Sequence, residues 1–141
     1  MDKENILYVS PLSSRYASEE MQRLFSESYR ITMFRKLWVM LAKEEKKLGL
    51  SITDEQIQEL EARVDTLNLA VAKEKEKEIR HDVMAQIYAY GLQCPKAKGI
   101  IPLGATSCYV DDNADIMIMK ESSLLLLAKM AQVLANLKRF A

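Results

Sequence analysis

The C-terminal segment constrains the fold most. From about Asp111 to Ala141 the chain has the spacing of one continuous helix, and Leu127, Met130, Leu134, Leu137 and Ala141 repeat at intervals of three and four. That repeat is a heptad seam. Leu124, Leu125 and Leu126 add apolar surface on other faces. A helix apolar on several sides needs several neighbours. The sequence stops at "LKRFA" with no Gly, Asn or Pro to terminate the helix. It reads as a cut through a longer helix, so the chain is expected to be an N-terminal piece of a larger protein.

The preceding residues are also helical in pattern. Residues 26–48 place Ile31, Phe34, Leu37, Trp38, Leu41 and Leu48 on one stripe, with Ser26 as N-cap and Gly49 as the stop. "TDEQIQEL" opens a second helix with a capping box made by Thr53 and Gln56. A third covers about 68–80 and ends in "KEKEKEIR", a solvated face with Lys73–Glu76 and Lys75–Glu78 at i,i+3. A fourth runs from about Asp82, its N-cap, to Gly91. Pro11 marks an extended arm, "YVSPLSSRY". Glycine and proline gather in "GLQCPKAKGIIPLG" at 91–104, the one long irregular segment, expected to be a functional loop or an ordered crossing between helices. No strand-like alternation of useful length occurs, and the expected class is all-α.

Composition removes several function classes. A chain of 141 residues fits one domain and can bury about two-thirds of its unfolded surface. Lys plus Arg equals Asp plus Glu at 20 each, which gives no reason to expect nucleic acid or a membrane surface as partner. A small anionic substrate remains open, since it needs only a local patch. Cys94 and Cys108 lack CxxC spacing beside a single histidine, which argues against a zinc site. Two thiols, and no apolar leader in "MDKENILYVS", fit a reducing cytosol. The run "LLLLA" at 124–128 is far short of a membrane span.

Three segments combine anion-binding groups with helix beginnings. In "SSRYAS" at 13–18, Arg15 can make a two-pronged contact with phosphate or carboxylate, and Tyr16 adds a phenol. The alternative is an exposed arm that packs its tyrosine. In "RHD" at 80–82, His81 stands at a helix junction beside a second cation, Arg80, and near free backbone N–H groups. The alternative is a histidine that only satisfies a helix end. In "LGATSCYVDDNAD" at 103–115, Gly104 permits close backbone approach, and Thr106 and Ser107 offer hydroxyls before the long helix. The alternative is a Ser/Thr cap with acidic residues in the first turn. Together the segments suit a small substrate with several negative groups, with neither a metal cluster nor a glycine-rich nucleotide motif.

"SSRYAS", "EIRHDVMA", "CPKAKGIIPLGATSCYVDDNAD" and "SITDEQI" together resemble the N-terminal domain of the adenylosuccinate lyases, in the fumarase and aspartase superfamily. The resemblance covers about residue 8 to 141. It implies a helical domain at 1–110 followed, at 111–141, by the start of a central bundle helix that assembles four subunits, and a cytoplasmic enzyme. It implies cleavage of adenylosuccinate to AMP and fumarate, and of SAICAR to AICAR and fumarate, by β-elimination without metal or organic cofactor. It implies that Arg15 and Tyr16 contact substrate near its phosphate, that Arg80, His81 and Asp82 contact substrate, and that Thr106 and Ser107 hold a succinyl carboxylate. Family members often carry histidine where Pro102 and Gln86 stand here. The resemblance places the general acid and the serine base beyond Ala141, so the chain alone is expected to be inactive. Two other readings stay open: a different fumarate-releasing lyase such as one acting on argininosuccinate, and a non-catalytic helical module using the heptad seam.

Overall fold

In the computed structural model, which describes residues 8–141, a π-helical turn (Leu12–Tyr16) precedes six α-helices. They are α1 (Glu19–Leu24), α2 (Glu27–Lys47), α3 (Asp54–Glu61), α4 (Leu69–Ile79), α5 (Asp82–Gln93) and α6 (Ser107–Phe140). The fold is all-α, as the periodicity requires. No helix of the described residues is long and apolar enough to cross a membrane. The stretch Met1–Leu7, most of the segment read as lacking a leader, lies outside the described residues.

Local sequence explains most boundaries. Ser26 caps α2 by accepting the Tyr29 N–H at 3.2 Å. Gly49 follows that helix with φ +92°, a conformation that glycine adopts without strain. Thr53 and Gln56 form the reciprocal capping box of α3. The stripe of α2 buries Ile31, Phe34, Leu37 and Trp38, whereas Leu48, beyond the last turn, is exposed. Lys75 pairs with Glu78 at 2.8 Å, but Lys73 reaches across to Glu27 of α2 at 2.6 Å instead of closing on Glu76.

Three boundaries differ from expectation. The Pro11 arm is coiled, not extended. Pro11, with φ −64°, suits a first helical turn, and the N–H groups of Ser13 and Ser14 donate to the Ser10 carbonyl. Helix α5 begins one residue earlier in its cap than expected: His81 is the N-cap and Asp82 the first helical residue. Helix α6 begins at Ser107, because Thr106 already takes the extended conformation of an N-cap.

The segment between α5 and α6 is an ordered crossing. It climbs in successive three-residue turns, with Ala97 N–H donating to Cys94, Ile100 to Ala97 and Leu103 to Ile100. That period points Cys94, Ala97 and Ile100 inward, together with Ile101. Helix α3 holds its start: the Glu59 carboxylate accepts the Ala97 N–H at 2.9 Å, and Gln56 donates to the Lys96 carbonyl at 2.9 Å. Burial pushes the Cys94 thiol up to about 11, with Glu59 nearby adding to the effect.

A buried arginine organises the core. Arg35 on α2 donates to the carbonyls of Arg63 and Thr66, at 2.6 and 3.0 Å, and to the Asn68 side chain at 2.9 Å. Its guanidinium lies over the Tyr90 ring at 4.3 Å. Tyr90 in turn donates to the Leu60 carbonyl at 2.6 Å, and Asn68 donates to the Ala89 carbonyl at 2.9 Å. One cation thereby ties α2, the α3–α4 connection and α5 together. Arg35→Met should remove about 3 kcal/mol of unfolding free energy, because the Arg63 carbonyl and the Asn68 amide oxygen lose this donor, whereas the Thr66 carbonyl keeps its bond from Gln93. Denaturant titration followed by circular dichroism would check it; a loss within the error of the wild-type value would contradict this account.

Candidate functional site

The three segments expected to bind anions sit at three helix beginnings or turns. Arg15 and Tyr16 occupy the π-helical turn. Both are exposed, and the guanidinium stands 5.9 Å from the tyrosine ring centroid. Tyr16 borders an apolar groove of about 500 Å³ between this turn, α1 and α6, lined also by Leu12, Met21, Phe25 and Leu126. Tyr16 therefore presents one face to the groove and keeps a phenol accessible to solvent.

Arg80, His81 and Asp82 form the α4–α5 junction. Arg80 has φ +52°, the one non-glycine residue with positive φ among those described. Such a conformation costs about 1 kcal/mol for a residue with a Cβ. It reverses the chain between two helices, and its N–H closes α4 on the Glu76 carbonyl at 2.7 Å. His81 then caps α5: its Nδ1 accepts the Met84 N–H at 3.4 Å. An accepting Nδ1 assigns the ring proton to Nε2. The exposed imidazole therefore keeps Nε2–H as a free donor. Asp82 stands 3.6 Å from Nδ1, too far for a hydrogen bond, and its acid suits the first turn of α5.

Thr106 and Ser107 open α6. Gly104, two residues before Thr106, has φ +70°, which permits the turn into the helix. The Thr106 side chain makes no cap hydrogen bond, and no acidic residue lies in the first turn of α6. The Ser/Thr-cap alternative is therefore not realised. The hydroxyl of Thr106 and the leading N–H groups of a 34-residue helix stay available at a site of positive potential.

These segments do not share a cavity among those found in the described residues. Tyr16 lines the α1–α6 groove, and Arg80 lines a separate shallow depression with Lys73, Glu76 and Lys77. Two further groups escaped the sequence reading. Arg35 is the first. The second is Glu45, on the buried face of α2, whose Oε2 has no hydrogen-bond partner. A charged residue falling on the same face as Trp38 and Ala42 is the signal that could have exposed it. Among the described residues no group of three or more His, Cys, Asp or Glu side chains could hold a metal ion.

The chain is thus all-α, with cations and hydroxyls at helix ends. The chain is 46% identical over 134 residues to the adenylosuccinate lyase of Schistosoma mansoni and 49% identical over 137 residues to that of Schizosaccharomyces pombe. It is 33% identical over 135 residues to the adenylosuccinate lyase of Pyrococcus abyssi. The first two matches take in 95% of this chain and the third 94%, yet the chain spans only 28–30% of these relatives' own length. No family model matches. The chain is thus similar, almost from end to end, to a part of adenylosuccinate lyases.

The capping role of His81 can be measured directly. His81→Ala should cost about 0.5–1 kcal/mol of stability, the usual worth of an N-cap, and His81→Asn should restore most of it. Thermal unfolding of the three chains would check this; equal melting of wild type and His81→Ala would show that the 3.4 Å bond contributes nothing.

Proposed function

We propose that this chain is the N-terminal, substrate-binding part of an adenylosuccinate lyase, which cleaves adenylosuccinate to AMP and fumarate in purine biosynthesis, and SAICAR to AICAR and fumarate. The observation that carries the reading is the 46–49% identity to adenylosuccinate lyases over 95% of the chain. In the reaction a base takes a proton from the succinyl carbon next to a carboxylate. The electron pair left behind forms the double bond of fumarate, the C–N bond breaks, and an acid protonates the departing nitrogen.

Each segment has a role in that scheme. Arg15 and Tyr16 bind the phosphate, for which an exposed guanidinium and an exposed phenol are suited. Arg80, His81 and Asp82 contact the substrate, with the His81 Nε2–H as donor. Thr106 and Ser107 hold a succinyl carboxylate at the positive end of α6. Donors fixed before the reaction stabilise the charge that builds on the carboxylate as the proton leaves. The resemblance to adenylosuccinate lyases assigns the general acid and base to other parts of the whole protein. No metal or organic cofactor takes part. Residues 1–110 form the substrate domain, and residues 111–141 begin the helix through which four copies associate in the cytoplasm.

The separation of the three segments supports a site completed by more than one chain. A purified 141-residue chain should release no fumarate from adenylosuccinate, measured by ultraviolet absorbance, whereas the whole protein should. A whole protein that leaves adenylosuccinate intact would overturn the assignment. In it, Arg15→Ala should weaken binding of adenylosuccinate by one to two orders of magnitude, about 1.5–3 kcal/mol, the worth of a charge-assisted hydrogen bond. Binding of the dephosphorylated nucleoside should change little, and equal losses for both ligands would remove the phosphate role.

The exposed seam of α6 favours a second reading, a helical association module. Leu127, Met130, Leu134 and Leu137 are each more than half exposed. Such a surface drives self-association with or without catalysis. Sedimentation of the chain should show oligomers, and Leu127→Glu with Leu134→Glu should yield monomers; a monomeric wild-type chain would count against the seam.

A further inference from the structure

We propose that Glu45 is a positioning residue for Thr106 and Ser107, its carboxyl group forming the support on which the Gly104 turn rests. The inference relies on the reading above only in taking Thr106 and Ser107 as the carboxylate-holding pair.

The geometry around Glu45 carries it. Glu45 lies on α2 and is 7% exposed. A Cβ added at Gly104 would run into its Oε1, so the carboxyl lies directly against the Gly104 backbone. Glu45 also acts on Tyr109, whose hydroxyl donates to the Leu37 carbonyl at 3.1 Å. The carboxyl therefore meets the chain at Gly104, two residues before Thr106, and acts electrostatically on the phenol of Tyr109, a residue of the first turn of α6. Oε2 is buried and unpaired, an arrangement that costs stability in a group serving only to fill space. Burial also pushes the carboxyl above the usual range of a glutamate, which favours its neutral form. Lengthening or removing the support shifts the hydroxyls relative to the helix N–H groups.

The exposed thiol of Cys108, next to Ser107, reports on the turn without reference to catalysis. In the 141-residue chain, Glu45→Ala should raise the labelling rate of Cys108 by a thiol reagent several-fold, and Glu45→Gln, which keeps the shape of the support, should leave it near wild type. Gly104→Ala should raise it as well. The double variant Glu45→Ala with Gly104→Ala should fall short of the product of the two single effects, because the smaller residue makes room for the added methyl. In the whole protein, Glu45→Ala should raise KM for adenylosuccinate several-fold with a smaller fall in kcat. Unchanged labelling in Glu45→Ala, labelling in Glu45→Gln as fast as in Glu45→Ala, or multiplicative effects in the double variant would each overturn the role. A wild-type whole protein without lyase activity would overturn the functional reading and leave the labelling result standing.

Discussion

The Arg35 guanidinium is the interaction on which the rest depends. It is buried and cannot shed its charge, so its cost is offset only by acceptors held in the right places. Arg63, Thr66 and Asn68 supply them, and all belong to the connection between α3 and α4. A connection with little secondary structure of its own is thereby given a fixed shape. The same α2 helix secures α6: Arg30 pairs with Asp111 and Asp115 at 3.1 and 2.9 Å, and Tyr29 bonds Glu121. One helix thus anchors the start of α4 and the last turn of α5, through Asn68 and Tyr90, and the beginning of α6; the α4–α5 junction lies at the far end of that helix pair.

The helices themselves were legible in the sequence because short-range rules dictate them. Ser26, Thr53 with Gln56, and Gly49 act within one turn, so their effect can be read without knowing the fold. The cap of α5 was misread by one residue because His81 and Asp82 can each accept the needed N–H. The left-handed conformation of Arg80 decides between them, and that depends on how α4 and α5 pack. Arg35 and Glu45 were illegible for a related reason. A periodicity argument treats a charge as exposed, whereas both lie on the buried faces of α2 among Trp38, Val39 and Ala42. The candidate site was legible as a set of residue types and not as an arrangement. Nothing local specifies that Tyr16 borders the α1–α6 groove while Arg80 lies in a separate depression.

Helix α6 does two jobs in succession. In its first half Val110, Ala114, Ile118 and Ser122 are buried at intervals of four, a single face set against α1 and α2. From Leu124 onward that face is lost, and the heptad seam is exposed. The spacing changes from four to alternating three and four at the same place. A row at intervals of four drifts steadily around a helix, which suits a short oblique crossing of α2. A three-four alternation stays in register over many turns, which suits a long partner lying nearly parallel. The two halves are therefore built for different kinds of neighbour.

A neutral chain can still bind a polyanion if its positive potential is placed rather than summed. Gathering Arg15, Arg80 and the surrounding lysines at one point would build mutual repulsion into the unliganded protein. Here Tyr16 and Arg80 line different depressions, and the head of α6 offers the Thr106 hydroxyl and helix N–H groups with no formal charge in its first turn. Helix-end donors cost no net charge and are held by the helix itself, so they do not reorganise when a carboxylate gains charge. The exact position of that helix end then matters more than its composition. The contact between Glu45 and Gly104 bears on that position, which ties a residue remote in sequence to the start of α6.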